Sequence, residues 1–271
     1  RDRASILQCP YHGWRYGLDG SLKGMPEFEG VENFERAENG LLPIRVETWE
    51  CFVFVNLDPQ AVSLPEFLGG LVKRVAPLGV SKLHYFDRRT YDITCNWKVY
   101  VDNYLDGGYH VPHLHKGLSS VLDYKQYTIE NEDRYCLQSS PMVASDEDAA
   151  TGATRKGDRA RYFWQYPNLM INCYEGYMDT NYVVPIDADH CTVIFDFYFS
   201  DVSEARREYN TESVNVGNRV QDEDLGICED VQRGLKSRAY RAGRLSVRRE
   251  AGEQLFHRLL AADLKGTAVR V

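Results

Sequence analysis

The sequence has 271 residues and a formal charge of −8; 43% of residues are hydrophobic, 27% charged and 12% aromatic. This is the balance of a soluble globular chain, with one large core or a small domain joined to a mid-sized one. It excludes a membrane-spanning helix, since no apolar run approaches the roughly 20 residues needed, and argues against a general affinity for nucleic acid or anionic lipid, which rests on clustered Lys and Arg.

The seven cysteines (Cys9, Cys51, Cys95, Cys136, Cys173, Cys191, Cys228) are odd in number and far apart. That suits a reducing compartment better than a disulfide framework and points to the cytoplasm. The chain opens on Arg1-Asp2-Arg3 with no initiator Met and reads as N-terminally incomplete. Any transit peptide would lie upstream and would change the location to the chloroplast stroma.

Residues 4 to 24 read as a short strand, a Cys9-Pro10-Tyr11-His12-Gly13-Trp14 turn, and a hairpin folded about Asp19-Gly20. The turn puts a thiolate and an imidazole three residues apart, so each could serve one iron of a Rieske [2Fe–2S] centre, in which two histidines replace two cysteines. Only Cys9 and His12 of such a set are present; a partner C-x-H loop would have to precede Arg1.

Strand signal fills Leu41 to Leu57, rich in β-branched and aromatic residues, and Asp58-Pro59 closes it. This predicts a domain boundary, with residues 1–59 before it and 60–271 after. The next segment, Leu64 to Leu78, has helical spacing with Pro65 near its start. Strand returns at Leu83 to Thr94 and helix at Trp97 to about Tyr109. Pro141 to Ala160 is small, polar and charged, and reads as a mobile surface loop or a lid. Strands are predicted at Tyr162 to Cys173, Met178 to Pro185 and Cys191 to Ser200, then helices at Ser203 to Tyr240 and Glu250 to about Leu264. The order implies α+β, with helices on one face of an antiparallel sheet. No Gly-rich phosphate loop is present.

His110, His113 and His115 place three imidazoles in six residues, a density typical of metal sites. On a straight helix His110 and His115 would point about 140° apart, but Pro112 lets the backbone give way so that they converge. His113 is the rival, since a three-residue offset also shares a helix face. Asp106, four residues before His110, is placed to accept that ring's second hydrogen and is the candidate catalytic acid.

A third ligand should be a carboxylate, because two His and one carboxylate leave open positions on non-haem Fe(II). Val220, Asp224, Ile227, Val231 and Leu235 have the spacing of a buried stripe that Asp224 alone interrupts. Asp222 and Glu223 fall off it and read as solvated.

CPYHGW, NWK…DNYLDGGYHVPHLH, YPNLMIN, MDTN and QDEDLGICEDVQRGL, in this order, resemble the choline monooxygenase branch of the Rieske non-haem iron oxygenases over nearly the whole chain. The resemblance implies iron on His110, His115 and Asp224 rather than His113, and a [2Fe–2S] cluster on Cys9 and His12 with its other ligands upstream. It implies the C-terminal part of an all-β Rieske domain followed by a helix-grip (Bet v 1/START-like) catalytic domain. It also implies a ferredoxin or flavin reductase as electron donor, a homotrimer or other homo-oligomer, and oxidation of choline to betaine aldehyde hydrate, as in betaine biosynthesis; for such a quaternary ammonium substrate Trp164, Tyr166, Tyr174, Tyr177 and Tyr182 are the candidates for an aromatic cage. Carnitine or glycine betaine oxidation and aromatic-ring hydroxylation are the alternatives; an inactive fragment or metal-binding interaction protein is the non-enzymatic one. Most of the superfamily carries an acid three residues before the first iron-binding His. Here that position is Gly107, and the acid is Asp106.

Overall fold

The computed structural model describes residues 5–266; the strand start expected at Ala4 lies outside them. The chain divides into two compact units, residues up to Thr48 with Phe52–Ala61, and Trp49–Cys51 with Val62 onward. The sequence reading puts the change after Pro59.

In the first unit β1 (Ile6–Gln8), β2 (Arg15–Gly17) and β3 (Leu22–Gly24) form a three-stranded antiparallel sheet. The Cys9–Trp14 turn is closed by Cys9 N–H donating to the Trp14 carbonyl (2.8 Å) and Gly13 N–H to that of Cys9 (3.0 Å). Gly13 has φ +75°, a conformation glycine takes without Cβ strain. The strand signal expected over Leu41 to Leu57 resolves into a hairpin, β4 (Arg45–Trp49) and β5 (Phe52–Asn56), because Glu50 turns the chain with φ +51°.

In the second unit, the helix expected over 64–78 breaks at Gly69-Gly70 into α1 (Leu64–Leu68) and α2 (Leu71–Val75), followed by a 3-10 turn. After β6 (His84–Ile93), the Asn96 side chain caps α3 (Trp97–Leu105) by accepting from Lys98 N–H. This helix stops short of the expected Tyr109, since Gly107 and Gly108 both have φ +66°. Two short helices follow, α4 (Val111–Leu114) and α5 (Lys116–Ser120).

Two strands not foreseen, β7 (Thr128–Glu132) and β8 (Tyr135–Pro141), come next. The expected loop over 141–160 contains α6 (Ala149–Thr154), which Asp148 caps by accepting from Thr151 N–H. Thr151, Thr154 and Arg155 are buried, which corrects the reading of this segment, Pro141 to Ala160, as a mobile surface loop; the burial bears on that reading and not on the lid alternative.

The expected strand 162–173 is two, β9 (Arg159–Gln165) and β10 (Leu169–Tyr174), and β11 (Tyr177–Pro185) and β12 (Cys191–Phe199) complete the sheet. Its seven strands run β6-β12-β11-β10-β9-β8-β7, all antiparallel. The long α7 (Arg207–Leu235) and α8 (Ala251–Leu264) close the unit. Ile93, Leu105, Trp164, Phe197, Val214 and Phe256 form one buried core joining sheet and helices. The α+β class expected from the element order is the one observed. No helix among the described residues is long and apolar enough to cross a membrane, and all seven cysteines are free.

Candidate metal centre and its cavity

Strand alternation sends every second side chain to one face, and register then lines those side chains up across the sheet. Gln138 of β8 stands opposite Tyr162 of β9, Tyr162 opposite Asn172 of β10, and Asn172 opposite Asp179 of β11. This cross-strand row floors a cavity of about 120 Å³, and α3 and α7 form its walls. On α7, Gly217, Gln221 and Asp224 recur at helical spacing and all face it.

His110, His115 and Asp224 meet at one end. His110 immediately precedes α4 and His115 immediately follows it, so the short helix turns both rings inward. Their Nε2 atoms are 3.0 Å apart, and Asp224 Oδ1 lies 3.1 Å from His115 Nε2 and 3.8 Å from His110 Nε2. Among the described residues these three form the only group of this kind suited to a metal ion.

The outer nitrogens are fixed. His110 Nδ1 lies 2.5 Å from Asp106 Oδ2, and His115 Nδ1 2.6 Å from Glu223 Oε2. Carboxylates accept only, so each ring carries its hydrogen on Nδ1 and turns an Nε2 lone pair inward. Two lone pairs at 3.0 Å repel unless a cation lies between them. Donors about 2.1 Å from one divalent ion and about 90–110° apart are separated by about 3.0–3.4 Å; the 3.0 and 3.1 Å separations fall in that range and the 3.8 Å one asks for a wider angle of about 130°, and the N, N, O donor set suits a first-row metal ion. Burial pulls the His115 pKa down, but Asp224 and Glu223 more than offset it and hold it above the usual histidine value.

Asp106 ends α3 and also accepts from the N–H groups of Tyr109 and His110, at 3.1 Å each. Next to it, a Cβ on Gly107 would stand 2.0 Å from the Arg249 carbonyl oxygen. Backbone packing therefore bars a side chain at 107, and the acid sits at 106. Asn103, which sequence reasoning missed, donates to Asp224 Oδ1 at 2.8 Å.

Other expectations need correction. Glu223 is not merely solvated; it orients His115. His113 is exposed and outside the donor group. The stripe that singled out Asp224 is not buried beyond it: Ile227, Val231 and Leu235 are 38%, 46% and 39% exposed. Of the five expected cage aromatics, only Tyr174 lines the cavity. Tyr177 is buried just behind it, its hydroxyl on Asp179 (2.6 Å). Trp164 and Tyr166 pack against Phe256 of α8, farther along the sheet. Tyr182 is one residue out of phase with Asn181 and points to the other face, 47% exposed. The rings that do face the cavity include Tyr104, Tyr127, Tyr162 and Phe195.

In the first unit, Cys9 is partly buried and His12 exposed. They offer one thiolate and one imidazole, half of the two-cysteine, two-histidine set of a Rieske centre.

Residues 80–266 match the catalytic domain of the ring-hydroxylating alpha subunit, and residues 2–35 match the Rieske [2Fe-2S] domain. The chain belongs to the Rieske ring-hydroxylating oxygenase alpha-subunit family. Similar members include chloroplastic choline monooxygenase of Arabidopsis thaliana, 40% identical over 97% of this chain and 64% of its own length. The carnitine monooxygenase oxygenase subunit of Escherichia coli K12 is 34% identical over 96% of this chain and 72% of its own. A solved quaternary ammonium Rieske monooxygenase studied for carnitine oxidation by gut microbiota superposes with a TM-score of 0.84 at 29% identity, over 96% of this chain and 73% of that one. Naphthalene 1,2-dioxygenase, at 16% identity and a TM-score of 0.75, shares the fold. The chain spans 58–64% of the length of the chloroplastic choline monooxygenases it matches.

Proposed function

We propose that this chain is the catalytic portion of a monooxygenase that hydroxylates a small quaternary ammonium compound, with one Fe(II) held by His110, His115 and Asp224. The observation that carries this reading is the convergence of two carboxylate-locked imidazoles and one carboxylate at the end of a small aromatic cavity. Bound iron would supply oxygen activation, with electrons received through a [2Fe–2S] cluster from a ferredoxin or flavin reductase.

The chain's own residues hold and shape. Asp106 and Glu223 keep both imidazoles in the ligating tautomer. Asn103 restrains Asp224 through Oδ1. A quaternary ammonium has no N–H to donate, so it is recognised by ring faces and carboxylates, which Tyr104, Tyr127, Tyr162, Tyr174 and Asp179 supply. Choline, leaving as betaine aldehyde hydrate, is the substrate expected from the sequence; carnitine and glycine betaine belong to the same class. Residues 1–59 would be the C-terminal part of the Rieske domain, carrying Cys9 and His12, and 60–271 the catalytic domain. In a homo-oligomer Asp106 would either link a neighbour's cluster to His110 or serve only to orient that ring.

Iron analysis of the purified chain tests the site. One mononuclear iron per chain is expected, lost in Asp224→Ala and retained in His113→Ala; iron unchanged in Asp224→Ala overturns the assignment. Calorimetric titration with quaternary ammonium and aromatic ligands tests the substrate class without requiring turnover.

A further inference from the structure

The cavity end away from the metal group holds a buried cation that the proposed reaction leaves without a role. Arg155, just after α6, is 6% exposed and lines the wall. Its Nη1 donates to Ser213 Oγ (2.7 Å), and its Nη2 to the Ser213 carbonyl (3.2 Å) and the Tyr177 hydroxyl (3.5 Å). The guanidinium also lies over the rings of Tyr177 and Tyr174, 4.5 and 5.2 Å from their centroids. A guanidinium has five N–H donors; these contacts use three, and the Tyr174 hydroxyl is a further side-chain partner. No carboxylate among the described residues forms an ion pair with it. Burial disfavours the charge, but Tyr177, Tyr174 and Asp179 offset it, so the group stays cationic with no carboxylate at ion-pair distance.

The opposite charge is one phenol away. Asp179, 5% exposed, lines the same cavity. It accepts from the Tyr177 hydroxyl at 2.6 Å, and from Asn172 and Asn181 at 2.7 and 3.4 Å. Three donors aimed at one carboxylate are the surroundings of its ionised form; burial opposes them and leaves its pKa above the usual value. Tyr177 thus accepts from Arg155 and donates to Asp179, and the cavity carries a positive and a negative group held at a fixed separation.

We propose that the substrate of this cavity is a zwitterion, a quaternary ammonium compound that also bears a carboxylate, with the carboxylate on Arg155 and the ammonium toward Asp179 and the tyrosine rings. This rests on the reading of the cavity as a quaternary ammonium site. A lone cation such as choline would enter beside both Arg155 and a divalent metal ion, and would bring the guanidinium no carboxylate at hydrogen-bond distance. A betaine brings no net charge and pairs both wall groups. Arg155 is then the specificity-determining residue between carboxylated and non-carboxylated members of the class.

Calorimetric titration of the Fe(II)-loaded chain without oxygen tests this, using glycine betaine, carnitine, choline and tetramethylammonium. Wild type is expected to bind at least one of the two carboxylated ligands tenfold or more tighter than choline and tetramethylammonium. Arg155→Met should bring that ligand to the level of choline, and Arg155→Lys should restore part of the difference. Choline binding as tightly as both carboxylated ligands in wild type overturns the inference while leaving the ammonium reading intact, and this comparison needs no variant to fold. Arg155→Met weakening all four ligands equally shows a structural role and also overturns it. Failure of all four to bind, with aromatic hydrocarbons binding instead, overturns the ammonium reading itself.

Discussion

The two ends of the cavity are built by different means. At the metal end, two donors lie within one six-residue segment, and each ring is locked by a carboxylate of its own, so both Nε2 lone pairs face inward beside Asp224 Oδ1, which Asn103 holds. At the other end, Arg155, Asp179, Tyr177 and Ser213 come from three separate stretches of chain and satisfy one another only in part. The first arrangement is complementary to a small cation and rigid before the cation arrives. The second is a fixed dipole whose unused donors suit a charged organic molecule. Rigidity at the metal end thus combines a local pair, Asp106 with His110, and a long-range one, Glu223 with His115, whereas the other end relies on long-range packing alone.

The comparison breaks most readily at Gly107. An alanine there needs φ +66° and puts Cβ 2.0 Å from the Arg249 carbonyl. Gly107→Ala should cost about 3 kcal/mol or more and displace Asp106 from His110. Thermal unfolding and iron content should fall together; a variant as stable as wild type would show that the turn is not the rigid element described.

Smaller effects follow from the two orienting carboxylates. Asp106→Asn and Glu223→Gln should each lower Fe(II) affinity by about 10- to 100-fold, as loss of an outer partner of a ligating histidine does. Asp106 should be the more sensitive, because its side chain is 17% exposed against 34% for Glu223 and it also holds two backbone N–H groups. Anaerobic competition with a chromophoric chelator measures both. Equal, small losses would place the rigidity in the backbone rather than in these pairs.

The same division decided what could be read in the sequence. His110, His115 and Asp106 were legible because their relation is local: four- and five-residue offsets across a proline. Asp224 was reached by helix phase, but Ile227, Val231 and Leu235 turn out exposed. The side of α7 that is buried includes Asn210, Ser213, Gln221 and Gln232, polar residues that hydrophobic periodicity passes over. Each has a partner, as when Tyr100 donates to Gln221 Oε1 (2.6 Å) and Asn210 to the Asp201 carbonyl (2.9 Å). The strand β8 was missed for the same reason, since Gln138, Ser139 and Ser140 are buried yet polar. The cage was misplaced because ring position depends on cross-strand register, which a single strand does not reveal.

Glu253 sharpens the comparison as a carboxylate that belongs to neither end. It is 9% exposed on α8, and burial together with Asp102, Glu250 and Asp106 pushes its pKa up to about 8, from 4.5. The folded chain therefore keeps a proton that the unfolded chain releases, so stability is greatest below about pH 4.5 as far as this group is concerned and falls as pH rises toward 8. Glu253→Gln removes the charge at nearly constant volume. It should raise stability at pH 8 by on the order of 1–2 kcal/mol, a few degrees in Tm, with little change at pH 5. Fe(II) affinity should stay within about twofold, because Glu253 reaches Asp106 only through space, whereas Asp106 and Glu223 touch the rings. A loss of affinity as large as that of Asp106→Asn would mean that the α8 charge, and not the direct hydrogen bonds alone, sets the ligating state of His110.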